Sequence, residues 1–462
     1  MSSSEIQLAK NAQEGYFFTN KLISKVYDKP RLGEDGTKSK RTTVANLLVG
    51  EWTKYLKNVR DETEIYFRGG KGYIDKDALS EKRVMEAYFI DVGQGDSILV
   101  QTPDDCRILI DGGENKNALS FLKWKYRLNV YHKVFDAVIM SHGDSDHLQG
   151  LIHILNDTHV IVKAIYHNGI AKRKKGLGKT TLGSNGEELV ELYDDIEDLT
   201  PVYDDLTDLY KKWVDAVRTA RKRAARYKES LICQRVDHLR PVIKVGESDG
   251  IKLRFLGPIN IGDGDEPRVK KYDSDSKTVN GNSVALKLEY KKAKILLCGD
   301  MHDKAELFML DNIPRSRLRA QVFKANHHGS QYFTTDFLNV IDPWISIVSS
   351  GNYNTHGHPR ANLLGSLGRY APKKIGKPLL FSTELAATFK KIPKKRIDDR
   401  SNYLYEKRTY GLVNVRTNGE WLAAGRVYGK TKGKDNSKGS KLKWEAYAFK
   451  LDTGEKLLYD LE

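Results

Sequence analysis

One run, Ser141-His142-Gly143-Asp144-Ser145-Asp146-His147, constrains this 462-residue chain more than any other stretch. Two imidazoles and two carboxylates, His142, Asp144, Asp146 and His147, crowd behind Val134 to Met140, an apolar, β-branched run too short for a helix. That run reads as a buried strand, and the ligand-type residues sit on the turn that leaves it. Such a cluster is costly to bury without a compensating positive charge. The loop therefore predicts a divalent-metal site, for which two ions suit four such groups better than one. A solvated polar loop with no metal is the plain alternative. The same pattern recurs along the chain. Ile108 to Ile110 leads into Asp111-Gly112-Gly113, Lys294 to Cys298 into Gly299-Asp300, and Ala320 to Lys324 into Asn326-His327-His328-Gly329-Ser330. Each places Asp or His where an apolar strand ends, so several strand ends converging in space would make one site.

Further motifs carry a resemblance. Phe89-Ile90-Asp91-Val92-Gly93-Gln94-Gly95-Asp96-Ser97, Asn282-Ser283-Val284-Ala285-Leu286, Lys324 to Ser330 and Gly357-His358-Pro359 occur in this order. With the strand-end motifs they resemble the metallo-β-lactamase fold, and within it the hydrolase domain of the competence protein ComEC and its relatives, from about Val84 to Leu422. The resemblance implies an α+β fold, an αββα sandwich, with two divalent ions. His142 and Asp144 would hold the first ion and Asp146 and His147 the second, with Asp300 bridging them and His327 or His328 completing the ligands of the second ion. Asp111 and Asn282 would support these ligands, and His167 is a rival for a fifth ligand. Asp91 and Asp96 read instead as turn residues. Asp146 and Asp300 would orient the attacking water, while Lys324 and His358 are candidates to hold a phosphate oxygen or protonate the leaving oxygen. Asp144 stands where the commoner motif has a histidine. That carboxylate hardens the first site and favours Mn2+ or Mg2+, with Zn2+ still compatible. The activity implied is a metal-dependent phosphodiesterase or nuclease acting on nucleic acid, DNA in the first place, with a role as a bacterial defence effector conceivable. A hydrolase of a small phosphoester or cyclic nucleotide is the alternative. A non-catalytic binding module is a third reading, against which the intact ligand set argues.

Charge points the same way. Lys and Arg number 77 against 61 Asp and Glu, a formal net charge of +16 that favours an anionic partner. Solubility alone is the bland alternative. No apolar stretch approaches membrane-spanning length, and Met1 to Glu5 lacks a signal-peptide core, so the expectation is a cytoplasmic hydrolase without the membrane channel. Cys106, Cys233 and Cys298 are widely spaced and read as reduced.

Three regions are expected. Residues 1–83 form an accessory region, with helices over Ser4 to Val26 and Thr43 to Lys57 and a hairpin over Glu64 to Ile74 that is faintly similar to SH3-like modules. Residues 84–425 form the hydrolase, interrupted over about 170–245 by a helical hairpin. Its arms, Glu187 to Leu199 and about Pro201 to Ser230, carry opposite charges that would lie side by side, forming a lid, a dimer contact or a regulatory partner's surface. Residues 426–462 form a basic extension. Lys172, Arg173 and Lys174, with Arg221, Lys222 and Arg223 and the tail Lys430 to Lys443, are candidate walls for nucleic acid.

Overall fold

The computed structural model describes residues 15–457 apart from 34, 68–69, 248–249, 264–265, 352–353, 377, 385–410 and 429–442. Seven strands come first: β1 (Tyr16–Thr19), β2 (Ile23–Tyr27), β3 (Thr43–Leu48), β4 (Trp52–Val59), β5 (Glu62–Phe67), β6 (Gly70–Asp75) and β7 (Leu79–Ser80). They form one antiparallel sheet in the order β3-β2-β6-β5-β4-β1-β7. This corrects the two expected helices. Over Ser4 to Val26 the described part, from Gly15 onward, is strand, and residues 4–14 lie outside the described residues. Thr43 to Lys57 folds as β3 and β4 around Gly50, whose φ of +77° turns the chain. The apolar spacing that suggested a helical stripe is served equally by two β-branched strands with a turn between them.

The larger part of the chain is built of two facing sheets. The first contains β8 (Met85–Phe89), β9 (Ile98–Gln101), β10 (Arg107–Ile110), β11 (Ala137–Ile139), β12 (Ala164–His167) and β13 (Ile232–Arg235), of which β10 to β13 run parallel. The second contains β14 (Ile243–Val245), β15 (Ile251–Phe255), β16 (Leu286–Tyr290), β17 (Ala293–Leu297), β18 (Val322–Lys324), β19 (Ile345–Val348) and β20 (Leu379–Ser382), with β17 to β20 parallel. The chain then returns to the first sheet through β21 (Val413–Thr417), β22 (Trp421–Tyr428), β23 (Lys443–Lys450) and β24 (Lys456–Leu457). The strand expected over Trp444 to Leu451 is β23, while the basic tail before it lies outside the described residues.

Alternation along these strands makes three cores. Phe89, Val100, Ile110 and Ile139 of the first sheet meet Phe255, Leu288, Ile295 and Ile347 of the second. The opposite faces of the strands bury Leu99, Leu109, Val138 and Ile165 against helices α1 (Asn117–Tyr126), α2 (Ser145–Leu155) and α3 (Asp208–Arg226). On the far side, Leu296, Phe323 and Val348 pack with α5 (Asp303–Asn312), α6 (Thr335–Ile341) and α7 (Ala361–Arg369), while the short α4 (Asp275–Gly281) precedes β16. Both sheets are apolar on both faces, as parallel strands covered by helices require. Parallel strands also send their C-terminal ends the same way, which is where the chemistry-bearing turns collect.

The expected helical hairpin is half right. Its second arm is α3, which starts at the Thr207 cap rather than at Pro201. The first arm is no α-helix. It begins in a hairpin, Thr180–Gly183 against Gly186–Leu189, and ends in a 3-10 stretch, Ile196–Asp205. Ser184-Asn185 is the turn, and Gly186 opens the return strand at φ +94°. The opposite charges do meet: Arg218 pairs with Glu197 at 3.0 Å and Arg221 with Asp195 at 2.8 Å. This region also contributes β13 to the first sheet.

The N-terminal sheet docks on the outermost strands. Leu22, Leu48 and Val49 pack with Ala423, Val427, Trp444, Ala446 and Ala448, and the Trp444 indole donates to the carbonyl of Asn46 at 2.8 Å.

Candidate metal centre

Asp111 follows β10, His142 to His147 follow β11, Asp300 follows β17 and His328 follows β18, so both sheets feed one point. Helix α2 starts there. Asp144 is its N-cap residue but makes no cap hydrogen bond, because its carboxylate turns into the site. Two glycines allow the approach. A Cβ on Gly95 would sit 1.9 Å from the carbonyl oxygen of Asp146, and one on Gly112 would sit 2.1 Å from the amide of Leu151. Neither position admits a side chain without moving backbone.

Three buried imidazoles turn their Nε2 atoms inward. His147 Nε2 lies 3.2 Å from Asp300 Oδ1, 3.2 Å from His328 Nε2 and 4.0 Å from Asp146 Oδ1. His328 Nε2 lies 3.0 Å from Asp300 Oδ2 and 3.2 Å from Asp146 Oδ2. His142 Nε2 lies 3.7 Å from Asp144 Oδ2 and 4.0 Å from Asp300 Oδ2. Each ring is held from behind through Nδ1: His147 by Asp111 Oδ2 at 2.8 Å, His328 by the carbonyl of Ser349 at 2.9 Å, and His142 by Ser141 Oγ at 3.0 Å. Asp111 also accepts the amide of Ser141 at 2.7 Å. Fixing Nδ1 sets the tautomer and leaves Nε2 as a lone-pair donor, as metal-bound histidine requires.

The electrostatics ask for a cation. Burial works against charge on every group here, yet Asp300 is held well below the usual carboxylate range by the His328 and His147 imidazoles. Asp146 is likewise lowered, by His147 and His328. Burial raises Asp144, but His142 and Lys172 outweigh it and bring the carboxyl to about 2. Against burial, Asp300 pushes both His147 and His328 well above their ordinary range, aided by Asp111 and Asp146 at His147 and by Asp96 and Asp146 at His328. Two buried atoms at the centre, His142 Nε2 and Asp300 Oδ1, have no hydrogen-bond partner among the described residues. Orphaned acceptors of this kind are rare in protein interiors. The donor set, imidazole nitrogen with carboxylate oxygen, suits a divalent cation, so the residues fit the group that the sequence implies.

The structure separates the adjacent histidines. His328 is wholly buried in the cluster, whereas His327 keeps its Nε2 3.8 Å from Asp300 Oδ2 and stays about a quarter exposed. Both residues sit at positive φ, 47° and 53°, and this strained turn brings two consecutive side chains to Asp300 Oδ2 at different depths. His358 stands at the rim, with its ring 5.5 Å from that of His327. Burial, then the neighbouring His327 and His328, bring His358 down to about 4, so it is neutral at physiological pH.

Several expected roles change. Lys324 cannot reach a substrate. It is wholly buried, ion-paired with Asp96, and lies 3.8 Å from Asp300 Oδ1, so it acts as internal counter-charge. Asp96 is more than a turn residue. Its carboxylate stands behind His328, 3.4 Å from Nδ1, and it backs the site rather than lining it. Together with His147, Asp300 and His328 it forms a group whose ligand atoms lie within 4.8 Å of one another, but its charge is already matched by Lys324. Asn282 spends its amide on the carbonyls of Lys270 and Thr278. Asn280 is the amide at the site: with its nitrogen toward Asp144 it lies 2.9 Å from Oδ2. His167 accepts the amide of Gly169 through Nδ1 and is buried at the end of β12.

The candidate nucleic-acid wall is largely occupied. Lys172 reaches inward to Asp144 Oδ1 at 2.6 Å, Arg173 pairs with Glu191, and Lys174 donates to the carbonyl of Asp204 at 2.9 Å. Arg221 is paired with Asp195, and Arg223 is buried, donating to the carbonyls of Val160 and Leu155. Of the six candidates only Lys222 is exposed without such a partner among the described residues. Sequence reasoning also missed Ser141 and Glu306. The Glu306 carboxylate accepts Asn326 Nδ2 at 2.8 Å and the Thr334 amide at 2.6 Å, clamping both ends of the segment that carries His327 and His328.

The chain thus places a histidine–aspartate centre at the strand ends of two facing sheets covered by helices. Residues 90–219 match the metallo-beta-lactamase superfamily model, and the chain carries a metallo-beta-lactamase superfamily domain. Among curated proteins it is similar to ComE operon protein 3 of Bacillus subtilis (strain 168), 23% identical over 305 residues, covering 62% of this chain and 31% of that one. It is also similar to competence protein ComA of Neisseria gonorrhoeae, 30% identical over 114 residues, covering 24% of this chain and 14% of that one. The chain thus spans about a third or less of the length of these relatives. Among solved structures, unliganded yeast PDE1 aligns at 12% identity and a TM-score of 0.33, covering 62% of this chain and 93% of that one. Among the described residues no helix is long and apolar enough to cross a membrane.

Proposed function

We propose that this chain is a metal-dependent phosphodiesterase that hydrolyses nucleic acid, DNA in the first place, at the centre built around Asp300. The observation that carries the reading is the set of three buried imidazoles fixed from behind at Nδ1, with their Nε2 atoms gathered on Asp300. His142, Asp144 and Asp300 would hold one divalent ion, and Asp146, His147, His328 and Asp300 a second. Such ions supply Lewis-acid charge and lower the pKa of water. The chain's own groups do the rest. Asp111, Ser141 and the Ser349 carbonyl keep the Nδ1 protons where they leave Nε2 free. Lys324, locked beneath the centre, offsets one carboxylate charge and keeps that flank dry. His327 and His358 line the exposed rim, and the neutral His358 imidazole can hold a proton at one nitrogen while the other faces a phosphoryl or leaving oxygen. The net charge of +16 draws a polyanion toward this rim.

The test is hydrolysis by purified protein supplied with Mn2+, Mg2+ or Zn2+, offered plasmid, linear duplex, single strands, RNA and small phosphodiesters. Cleavage of nucleic acid, strongest with Mn2+ or Mg2+ and lost in Asp300→Asn, is expected. Turnover of small phosphoesters or cyclic nucleotides with nucleic acid left intact would replace this reading by the small-substrate alternative. Zn2+ as the clearly best ion would show that the Asp144 carboxylate does not set the preference.

A further inference from the structure

Four residues on the outer face of the N-terminal sheet stand directly opposite one another on neighbouring strands. Tyr16 on β1 pairs with Lys54 on β4, Lys54 with Tyr66 on β5, and Tyr66 with Lys71 on β6. Because the pleat alternates, Thr53, Ile65 and Gly72 on the same strands turn inward and are buried. The row itself is open. Lys54 and Lys71 are exposed, Tyr66 is 38% exposed, and Trp52, two residues along β4, is 42% exposed with its ring 5.2 Å from that of Tyr16. The Lys54 ammonium lies 5.8 Å from the Tyr16 ring centre. Among the described residues neither Lys54 nor Lys71 is ion-paired, while the acidic residues at this parity of β5 are already matched, Glu64 by Lys57 at 3.6 Å and the buried Glu62 by Arg41 at 2.5 Å. The module's contact with the rest of the chain is made elsewhere, through Leu22, Leu48 and Val49.

Aromatic, cation, aromatic, cation is a costly pattern to expose without use. Adjacent strands are about 4.8 Å apart, which sets Tyr16 and Tyr66 about 10 Å apart with a lysine between them. Flat rings recruit flat partners, and unpaired lysines recruit phosphates, so the complementary polymer carries both. A duplex hides its base faces in the stack, and a neutral peptide has no use for the lysines. We propose that this row is a binding face for single-stranded nucleic acid, with bases on Tyr66 and Trp52 and phosphates at Lys54 and Lys71. Its purpose rests on the nuclease reading of the metal centre, but its geometry does not.

The experiment uses the full chain with EDTA present, so that nothing is cut, and a short fluorescent deoxythymidine oligonucleotide read by anisotropy. Trp52→Ala with Tyr66→Ala is expected to weaken binding on the order of tenfold per ring, and Tyr66→Phe to preserve it. Lys54→Ala with Lys71→Ala should lower the slope of log affinity against log salt by roughly 1.4, about 0.7 per phosphate contact. Unchanged affinity in the double-ring variant overturns the proposal. An equal loss for duplex, or binding of a proline-rich peptide in place of the oligonucleotide, overturns the assignment to single strands. In parallel, hydrolysis of bis(4-nitrophenyl) phosphate with Mn2+ should match wild type in all these variants. If wild type itself hydrolyses no phosphodiester, the nuclease reading fails while the oligonucleotide result stands on its own.

Discussion

Asp111→Asn tests the metal centre with a change of one atom. Asp111 sits at φ 55°, a conformation that Asn tolerates as Asp does, so the backbone has no reason to move. Its two oxygens accept from opposite sides, Oδ2 from His147 Nδ1 at 2.8 Å and Oδ1 from the Ser141 amide at 2.7 Å. An amide has one oxygen. If it faces Ser141, its NH2 meets the His147 Nδ1 proton, and the ring relieves the clash by moving that proton to Nε2, where a metal would bind. If it is reversed, the NH2 meets the Ser141 amide and the ligand loop must shift. Either way the lost bond is one to a charged acceptor, worth about 1.5–3 kcal/mol. That corresponds to roughly a tenfold to hundredfold weaker metal affinity, the range usual for partners behind a metal-bound histidine. Calorimetric titration of the dialysed protein with Mn2+ reads this directly. Metal affinity within twofold of wild type would refute the reasoning.

Three further outcomes follow from the same geometry. His328→Ala should lose one bound ion per chain, whereas His327→Ala should keep the ion count and lower turnover; equal stoichiometric losses in metal analysis would contradict the division. Lys324→Met leaves the buried Asp96 carboxylate unpaired, so thermal melts should show about 3–5 kcal/mol of destabilisation, much of it recovered in Asp96→Asn with Lys324→Met. Burial pushes the Glu306 carboxyl up to about 7 from 4.5, against the donors Thr334 and Asn326. A raised pKa means that its contribution is full below pH 4.5 and is lost as pH rises through 7. Denaturant titrations should therefore show wild type losing a few kcal/mol relative to Glu306→Gln across that window, and parallel pH profiles would count against it.

The site was legible in the sequence to the extent that its signals are local. An apolar strand followed by Asp, His and Gly is a contiguous pattern, and Asp111, His142 to His147, Asp300 and the His327-His328 pair all stood out as strand exits. Their convergence follows from parallel strands sharing an exit direction. Periodicity was less secure where two periods fit the same residues. Val44, Leu47, Leu48, Trp52 and Tyr55 satisfy a helical stripe, and the structure resolves them into two strands because Gly50 turns the chain between them.

What only the tertiary structure decided were choices between near neighbours and questions of depth. His327 and His328 are chemically identical, and a strained left-handed turn buries one and leaves the other at the rim. Asn280 and Asn282 lie together at the C-terminal end of α4, yet Asn280 turns its amide to Asp144 while Asn282 donates to the carbonyls of Lys270 and Thr278. Lys324 and Arg223 read as surface cations because such residues usually are. Each is buried because a neighbouring element supplies its partners, Asp96 for the lysine and the carbonyls of Leu155 and Val160 for the arginine. Residue type and spacing declare which groups can do chemistry. Which of them face each other depends on contacts between segments far apart in the chain, and no local pattern encodes those.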